Sequence, residues 1–175
     1  MAKFKMTVLT PEGTVETARL GSDTVANSGN LVDNDCDKFL KLVAESRYGL
    51  CAAGDPIEGQ LLAVESASQD GYAIGSVKRN GRIAAICDGS QAAGTGSIAV
   101  GDYVVCGTVV AAGTDLTAST GPKVRKATYQ PGTTAITNVN QIADAMKPVM
   151  HAWRIVSLGS AGAVGDTCVI ERVGA

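Results

Sequence analysis

The residue types that most often carry out chemistry are sparse in this sequence of 175 residues, which contains one histidine, His151. His151 stands close to Trp153 at the start of an apolar run, where a structural role is commoner than that of a catalytic base. The run Asp33-Asn34-Asp35-Cys36-Asp37 alternates oxygen ligands that could bind calcium, but it lacks the glycine and the distal glutamate of an EF-hand loop. The sequence therefore predicts a solvated turn at 33–37, no metal site and no enzymatic activity.

Cysteine and glycine patterns also fail to indicate a catalytic or cofactor site. No Cys-x-x-Cys pair is present, and most of the five cysteines have apolar neighbours, which predicts buried thiols in a reducing compartment. The run Gly94–Ala99 resembles a dinucleotide-binding loop, but it precedes a strand instead of joining a strand to a helix, so we interpret it as a plain loop. We expect no cofactor. The cysteines are Cys36, Cys51, Cys87, Cys106 and Cys168.

The composition favours a small all-β protein. Apolar residues make up 45% of the chain, aromatic residues only 4%, and there are 21 glycines, so the core must consist of aliphatic side chains on short elements joined by tight turns. The 15 basic and 17 acidic residues are spread evenly, which argues against direct binding of nucleic acid. No apolar stretch is long enough to span a bilayer, so we expect no membrane partner.

A recurring Gly-Asp pair is the clearest local pattern. The tetrapeptide Ala-Val-Gly-Asp occurs at 99–102 and again at 163–166, and a third Gly-Asp pair lies at 54–55. Glycine adopts backbone conformations that other residues resist, and the aspartate can accept hydrogen bonds from exposed N–H groups of the turn. We interpret these pairs as structural turns that start barrel strands. The residues are Gly54, Asp55, Gly101, Asp102, Gly165 and Asp166.

Asn80-Gly81 predicts a β-hairpin. The pair lies between two β-branched runs, 74–77 and 83–86, and Asn-Gly readily supplies the positive φ angles of a type I′ turn. A glycine inside the first run, Gly75, predicts a bulge or a bend at a barrel corner.

The remaining elements are assigned from composition and spacing. We prefer two short strands to a helix over 37–55, a long loop or insertion at 114–137 with at most short strands, and one short helix near 140–147. The chain is expected to form a small β-barrel or β-sandwich of short antiparallel strands over 31–175. Residues 1–30 are predicted to be an N-terminal hairpin of this domain or an extended arm.

Four segments in this order resemble the capsid decoration, or cement, proteins of tailed bacteriophages: 54–65, 71–82, 98–107 and 152–173. The resemblance implies a β-rich protein, made in the host cytoplasm, that binds the outer surface of an assembled head. Such proteins are usually trimers that hold neighbouring copies of the major capsid protein together, and they have no catalytic residues. The five cysteines and the insertion at 114–137 depart from the family pattern.

Candidate contacts with the capsid or with other subunits lie in two places. The N-terminal segment could add a strand to a coat-protein sheet, or it could be the first hairpin of the barrel. An exposed aromatic near 129–131 could anchor an interface. The alternative function is a host- or carbohydrate-binding β module on a virion surface, which would normally show clustered aromatics. The candidate contact residues are Lys3, Phe4, Lys5, Met6, Val8, Leu9, Tyr129 and Gln130.

Overall fold

The computed structural model describes residues 14–21, 31–44, 47–65, 73–90, 94–117, 119–128 and 153–173. Within these ranges the regular structure consists of strands, and the single helical element is a 3-10 turn at Asp33–Asp35. The predicted all-β class is confirmed. The helix expected near 140–147 and all eight candidate contact residues lie outside the described residues.

Ten strands form two closed five-stranded barrels. The first barrel has the strand order β1-β3-β2-β4-β5, and the second has the order β6-β8-β7-β9-β10. The strands are β1 Val15–Leu20, β2 Phe39–Ala44, β3 Arg47–Leu50, β4 Gly59–Glu65, β5 Ala73–Lys78, β6 Arg82–Cys87, β7 Tyr103–Cys106, β8 Lys123–Lys126, β9 Trp153–Leu158 and β10 Thr167–Arg172.

The two barrels have the same connectivity. In each, the first and third strands are parallel, as in β1–β3 and β6–β8, and the other four pairs are antiparallel. The register is also the same, because Leu20 faces Tyr48 in one barrel where Cys87 faces Val124 in the other. Every strand of the first barrel therefore has a counterpart in the second.

A shared irregularity strengthens this equivalence. In the first barrel Leu61 faces Val77, and the next residue of β4 is skipped in the ladder. In the second barrel Ile155 faces Ile170, and the next residue of β9 is skipped in the same way. A β-bulge adds one residue to one strand and sharpens its twist, so both barrels bend at the same place. The chain therefore contains the same barrel topology twice, and we call this structural repeat the duplication.

The sequence predicts one domain over 31–175, with residues 1–30 as a hairpin of this domain or an extended arm. Contacts divide the chain into two compact units. Strand β1, which lies within 1–30, pairs with both β3 and β5 of the first barrel. The first unit comprises Met1–Cys51, Glu58–Gly81 and Val110–Gly121, and the second comprises Ala52–Ile57, Arg82–Val109 and Pro122–Ala175.

Each barrel buries the inward-facing residues of its strands, as the alternation of strand side chains requires. The core of the first barrel is aliphatic apart from Tyr48, whereas the second includes the fully buried Trp153, whose Nε1–H donates to Ile57 O over 3.0 Å. Trp153 stands where the first barrel has Gly59, because Trp153 faces Val104 as Gly59 faces Leu40. The core of the first barrel contains Leu20, Leu31, Leu40, Tyr48, Leu61, Ala73 and Val77.

The prediction of a β-hairpin at Asn80-Gly81 is wrong. Strand β5 pairs with β1 and β4, and strand β6 pairs with β8 and β10, so β5 and β6 belong to different barrels. Gly81 has a φ of 83°, but Asn80 does not share the positive φ that a type I′ turn requires. Asn80 instead accepts a hydrogen bond from Thr14 N and donates one from Nδ2 to Thr14 Oγ1 over 2.9 Å.

Three other sequence predictions have clear outcomes. The two short strands preferred within 37–55 are confirmed as β2 and β3. The long loop assigned to 114–137 contains β8, which pairs with both β6 and β7 and so belongs to the barrel. Gly75 lies beside the bulge of β4, which falls between Leu61 and Ala63, and a Cβ at Gly75 would come within 2.3 Å of Ala63 O, so the glycine permits a close approach of two strands.

Candidate functional site

The three Gly-Asp pairs form the same turn. In each, the aspartate N donates to the alanine O three residues earlier, at 3.1 Å for 52–55, 3.1 Å for 99–102 and 3.0 Å for 163–166. The glycines have φ angles of 91°, 93° and 92°, while the preceding residue has a negative φ, which is the pattern of a type II turn. Each aspartate Oδ2 also accepts the alanine N–H, at 2.7, 2.8 and 2.9 Å. We call these the Ala-x-Gly-Asp turns.

Each Ala-x-Gly-Asp turn is fixed to one residue of a neighbouring strand. The glycine N donates to that residue's O, and that residue's N donates to the aspartate O. This is the geometry of a G1 bulge, in which the first bulged residue is a left-handed glycine. The facing residues are Cys106 for 52–55 (2.8 and 3.0 Å), Ile155 for 99–102 (2.8 and 2.9 Å) and Cys87 for 163–166 (2.8 and 2.8 Å).

The first barrel contains a fourth turn of this kind that the sequence does not reveal. Asp37 N donates to Leu61 O over 2.7 Å, and Leu61 N donates to Lys38 O over 3.0 Å. Leu61 is the counterpart of Ile155, so residues 35–38 correspond to the turn at 99–102. Asp37 has a φ of 69° and is the only non-glycine residue with a positive φ in the described part of the chain.

This fourth turn holds a buried ion pair. Asp35 is 0% exposed, and its Oδ1 accepts from Lys38 Nζ at 2.7 Å and from Gly113 N at 2.7 Å. Its Oδ2 accepts from Val32 N at 3.0 Å, and Lys38 Nζ also donates to Ala111 O at 2.8 Å. The predicted turn at 33–37 is present and Asp33, Asn34 and Asp37 are exposed, but Asp35 is buried, because Lys38, Gly113 and Val32 satisfy its two oxygens. The arrangement is a structural clamp.

A second buried carboxylate holds a loop of the second barrel. Asp88, which is 3% exposed, follows β6, and its Oδ2 accepts from Thr108 N at 2.6 Å and from Thr108 Oγ1 at 2.8 Å. Lys123 Nζ lies 3.9 Å from Asp88 Oδ1. A Cβ at Gly107 would lie within 2.9 Å of the Asp88 side chain, so this loop requires a glycine. Asp88 therefore fixes the chain that leaves β7.

The hydroxyl of Tyr48, in the first barrel, has a raised pKa. Its hydroxyl donates to Glu16 Oε1 at 2.7 Å, and Arg79 NH1 donates to Glu16 Oε2 at 3.2 Å. Burial, followed by the hydrogen bond with Glu16, raises the pKa of Tyr48 to about 12. The phenol is therefore protonated at neutral pH, and the trio joins β1, β3 and the end of β5.

The cysteines are placed as packing residues. Cys51, Cys87, Cys106 and Cys168 are buried, as predicted, and Cys36 is half-buried. Burial raises the pKa of Cys87 and of Cys168. Among the residues that the structure describes, no cluster of three or more histidine, cysteine, aspartate or glutamate side chains could hold a metal ion.

Several large apolar side chains remain exposed. Val100 is 61% exposed and Val164 is 43% exposed, and both stand at the second position of an Ala-x-Gly-Asp turn. On the first barrel, Leu42 is 52% exposed and Val43 is 36% exposed, at the end of β2. These side chains are candidate contact residues, two on each barrel. The sequence does not predict their exposure. An alternating apolar pattern does not show where a strand extends beyond its neighbours, and it says nothing about the side chains of turns.

No protein-family model matches the chain, and no curated protein or solved structure matches it. In the described ranges, no helix combines the length and the apolar character needed to cross a membrane. The resemblance of four segments to phage cement proteins thus stays a prediction.

Proposed function

We propose that the chain is a capsid decoration protein that binds the outer surface of an assembled phage head and stabilises contacts between copies of the major capsid protein. One observation carries the proposal: two closed barrels of identical register present apolar side chains, Val100, Val164 and Leu42, at turns and strand ends. Exposed apolar residues on rigid supports are suited to contacts with another protein. The order of the four cement-like segments adds support.

Closed barrels suit a protein that must bind only in one place. Closure pairs the backbone groups of most strands, so that unspecific strand addition is limited to the strand ends. A chain with two barrels can make two sets of contacts, and self-association into a homotrimer would multiply them. Modest individual contacts then give strong binding, because the second and later contacts form at a high effective concentration.

The alternative, a host- or carbohydrate-binding module on the virion surface, has less support. Stacking on sugars requires exposed aromatic faces. Of the four aromatic residues in the described ranges, Phe39, Tyr48 and Trp153 are buried, at 4%, 4% and 0% exposure, and Tyr103 is partly buried. These rings serve the barrels and leave little surface for a sugar.

The experiment that tests the proposal is the ratio of this chain to the coat protein in purified virions of the source phage, measured by quantitative mass spectrometry. We expect a ratio on the scale of the coat protein itself. Recombinant chain added to heads that lack it should sediment with them and raise the temperature at which they release DNA. Absence of the chain from virions, together with a failure to bind heads, would overturn the proposal.

A further inference from the structure

Asn80-Gly81 is a strong sequence pattern that the fold does not use as a hairpin. The pair lies in the connection between β5, which ends at Lys78, and β6, which begins at Arg82. Asparagine is a thermolabile residue, because the backbone nitrogen of the next residue can attack its side-chain carbonyl. A glycine has no Cβ to obstruct this attack, so an asparagine before glycine is the most exposed to it. Both residues are half-buried, so water has access to the reacting atoms.

The side-chain amide of Asn80 is bound at both ends by one residue, Thr14. Thr14 N donates to Asn80 Oδ1, and Asn80 Nδ2 donates to Thr14 Oγ1 over 2.9 Å. A backbone N–H can only donate, so it identifies the oxygen end of the amide. We call these two side-chain hydrogen bonds the Thr14 latch. A backbone bond lies beside it, since Arg79 N donates to Thr14 O over 3.0 Å.

The Thr14 latch is a feature of the first barrel alone. It continues the ladder between β1 and β5, in which Val15 faces Lys78. Val77 and Ile170 are counterparts, so the second barrel has Val173 where the first has Asn80. Valine has no side-chain amide. The barrel topology therefore does not require an asparagine at this position, and its chemistry is additional to the fold.

The reaction at Asn80 needs water and no other reactant. Gly81 N forms a bond to Asn80 Cγ, the bond between Cγ and Nδ2 breaks, and the proton of Gly81 N passes through water to the departing ammonia. Water then opens the resulting five-membered imide at either of its carbonyls. One product is aspartate, and the other is isoaspartate, whose backbone runs through the former side chain. Each product replaces a neutral amide by a carboxylate, and nothing is oxidised or reduced.

The Thr14 latch opposes the first step of this reaction. The attacking nitrogen must approach Cγ from above the plane of the amide, and the two bonds to Thr14 fix that plane. Thr14 is exposed and immediately precedes β1, so this end of the strand can open locally while the barrel stays folded. Two ordinary hydrogen bonds keep the open fraction down by roughly tenfold or more.

We propose that Asn80 is a self-modification site, which deamidates to aspartate and isoaspartate when the Thr14 latch opens. The open fraction of the latch sets the rate of modification in the folded chain. The aspartate product can bind Thr14 again, because a carboxylate accepts from both Thr14 N and the Thr14 hydroxyl. The isoaspartate product adds one carbon to the backbone between β5 and β6 and displaces the carboxylate from Thr14. This inference does not depend on the proposed function.

The experiment follows the purified full chain during incubation at neutral pH, folded in buffer and unfolded in guanidinium chloride. Chymotryptic peptides are mapped by mass spectrometry, and isoaspartate is detected by methylation with an isoaspartyl methyltransferase. We expect Asn80 to be modified in the folded chain, at a rate roughly tenfold or more below that in the unfolded chain. Asn34 is the internal reference: it precedes Asp35, which obstructs the attack, and should be modified far more slowly than Asn80.

Two substitutions of Thr14 test the latch. Thr14→Val removes Oγ1 but keeps the N–H and the size of the side chain, so modification of Asn80 in the folded chain should become severalfold faster. Thr14→Ser keeps the hydroxyl and should modify at the wild-type rate. All three chains should show the same rate in guanidinium chloride, where no latch exists. Melting temperatures establish that both variants are folded in buffer.

Each part of the proposal has its own contrary result. If Asn80 stays unmodified in both the folded wild-type chain and folded Thr14→Val, it is not a modification site. If the folded and unfolded wild-type chains modify Asn80 equally fast, the latch does not control the rate. Slower modification in Thr14→Val than in the wild type would also overturn this control, because the hydroxyl would then assist the reaction. If Thr14→Val is unfolded, the two wild-type rates still decide.

Discussion

Asp37 occupies in the first barrel the position that Gly101 occupies in the second. Both residues have a left-handed backbone, with φ angles of 69° and 93°, and each donates its N–H to the counterpart residue of the fourth strand, Leu61 or Ile155. Aspartate tolerates this conformation better than most residues, but less well than glycine. The fold therefore requires a left-handed backbone conformation at this point, and either aspartate or glycine can supply it.

This requirement predicts a graded cost of alanine at two glycines of the second barrel. Gly101 has open space around a Cβ, so Gly101→Ala should cost only the left-handed strain, about 1–2 kcal/mol of unfolding free energy. Gly162 has a φ of 75°, and a Cβ there would lie 2.0 Å from Ile98 O, so Gly162→Ala should cost roughly 1–3 kcal/mol more. Urea denaturation of both variants measures the difference, and equal costs would contradict it.

The buried ion pair predicts a strong effect of removing one partner. Lys38→Met leaves the Asp35 carboxylate buried without its cation, which should lower the unfolding free energy by about 3 kcal/mol. Arg82→Met is the control, because Arg82 is 61% exposed in its pair with Glu171 and should contribute at most about 1 kcal/mol. Chemical denaturation of the two variants gives both numbers. If Lys38→Met lowers the unfolding free energy no more than Arg82→Met does, the buried ion pair adds nothing to stability.

Tyr48 predicts a loss of stability at alkaline pH. The folded chain raises the pKa of Tyr48 from 10.0 to about 12, so this contribution is complete below pH 10.0 and is lost as the pH rises towards 12, because the unfolded chain ionises first. Tyr48→Phe should lose about 1 kcal/mol at neutral pH with the hydrogen bond to Glu16. The difference between the two proteins should shrink from pH 10 to 12 when unfolding is followed by circular dichroism. A constant difference would refute this assignment.

The thiols predict a simple order of chemical modification. Cys36 is half-buried, whereas the other four cysteines are buried, and burial raises the pKa of Cys87 and Cys168. Because the thiolate is the reactive form, iodoacetamide at neutral pH should modify Cys36 first and the others only after unfolding. Mass spectrometry of the intact protein counts the adducts. Cys36→Ser should abolish the early adduct, and rapid modification of several thiols in the native chain would contradict the prediction.

Features set by local chemistry could be predicted from the sequence, and those set by distant partners could not. The Gly-Asp pairs indicate turns because the glycine conformation and the aspartate hydrogen bond involve neighbouring residues only. Asn80-Gly81 carries an equally strong local signal, yet β5 and β6 pair with other strands, and tertiary pairing overrides the turn preference. The burial of Asp35 depends on Gly113, 78 residues away, which no local pattern indicates.

The duplication is hidden because counterpart positions hold different residues. Tyr48 corresponds to Val124, and Gly59 corresponds to Trp153, so the two cores fill similar space with different side chains. Cores accept such exchanges as long as volume and pattern are kept. The exposure of the candidate contact residues Leu42, Val43, Val100 and Val164 becomes visible only in the folded chain.

The clamp at Asp35 also affects the order in which the chain can be completed during synthesis. Gly113, which satisfies Asp35, lies in the segment Val110–Gly121, and that segment belongs to the first unit although β6 and β7 of the second unit precede it. Domains commonly fold one after another as they leave the ribosome. Here Lys38 and Val32 can bind Asp35 early, but the hydrogen bond from Gly113 N forms only after two strands of the second barrel have been made, so the first barrel reaches its final form late.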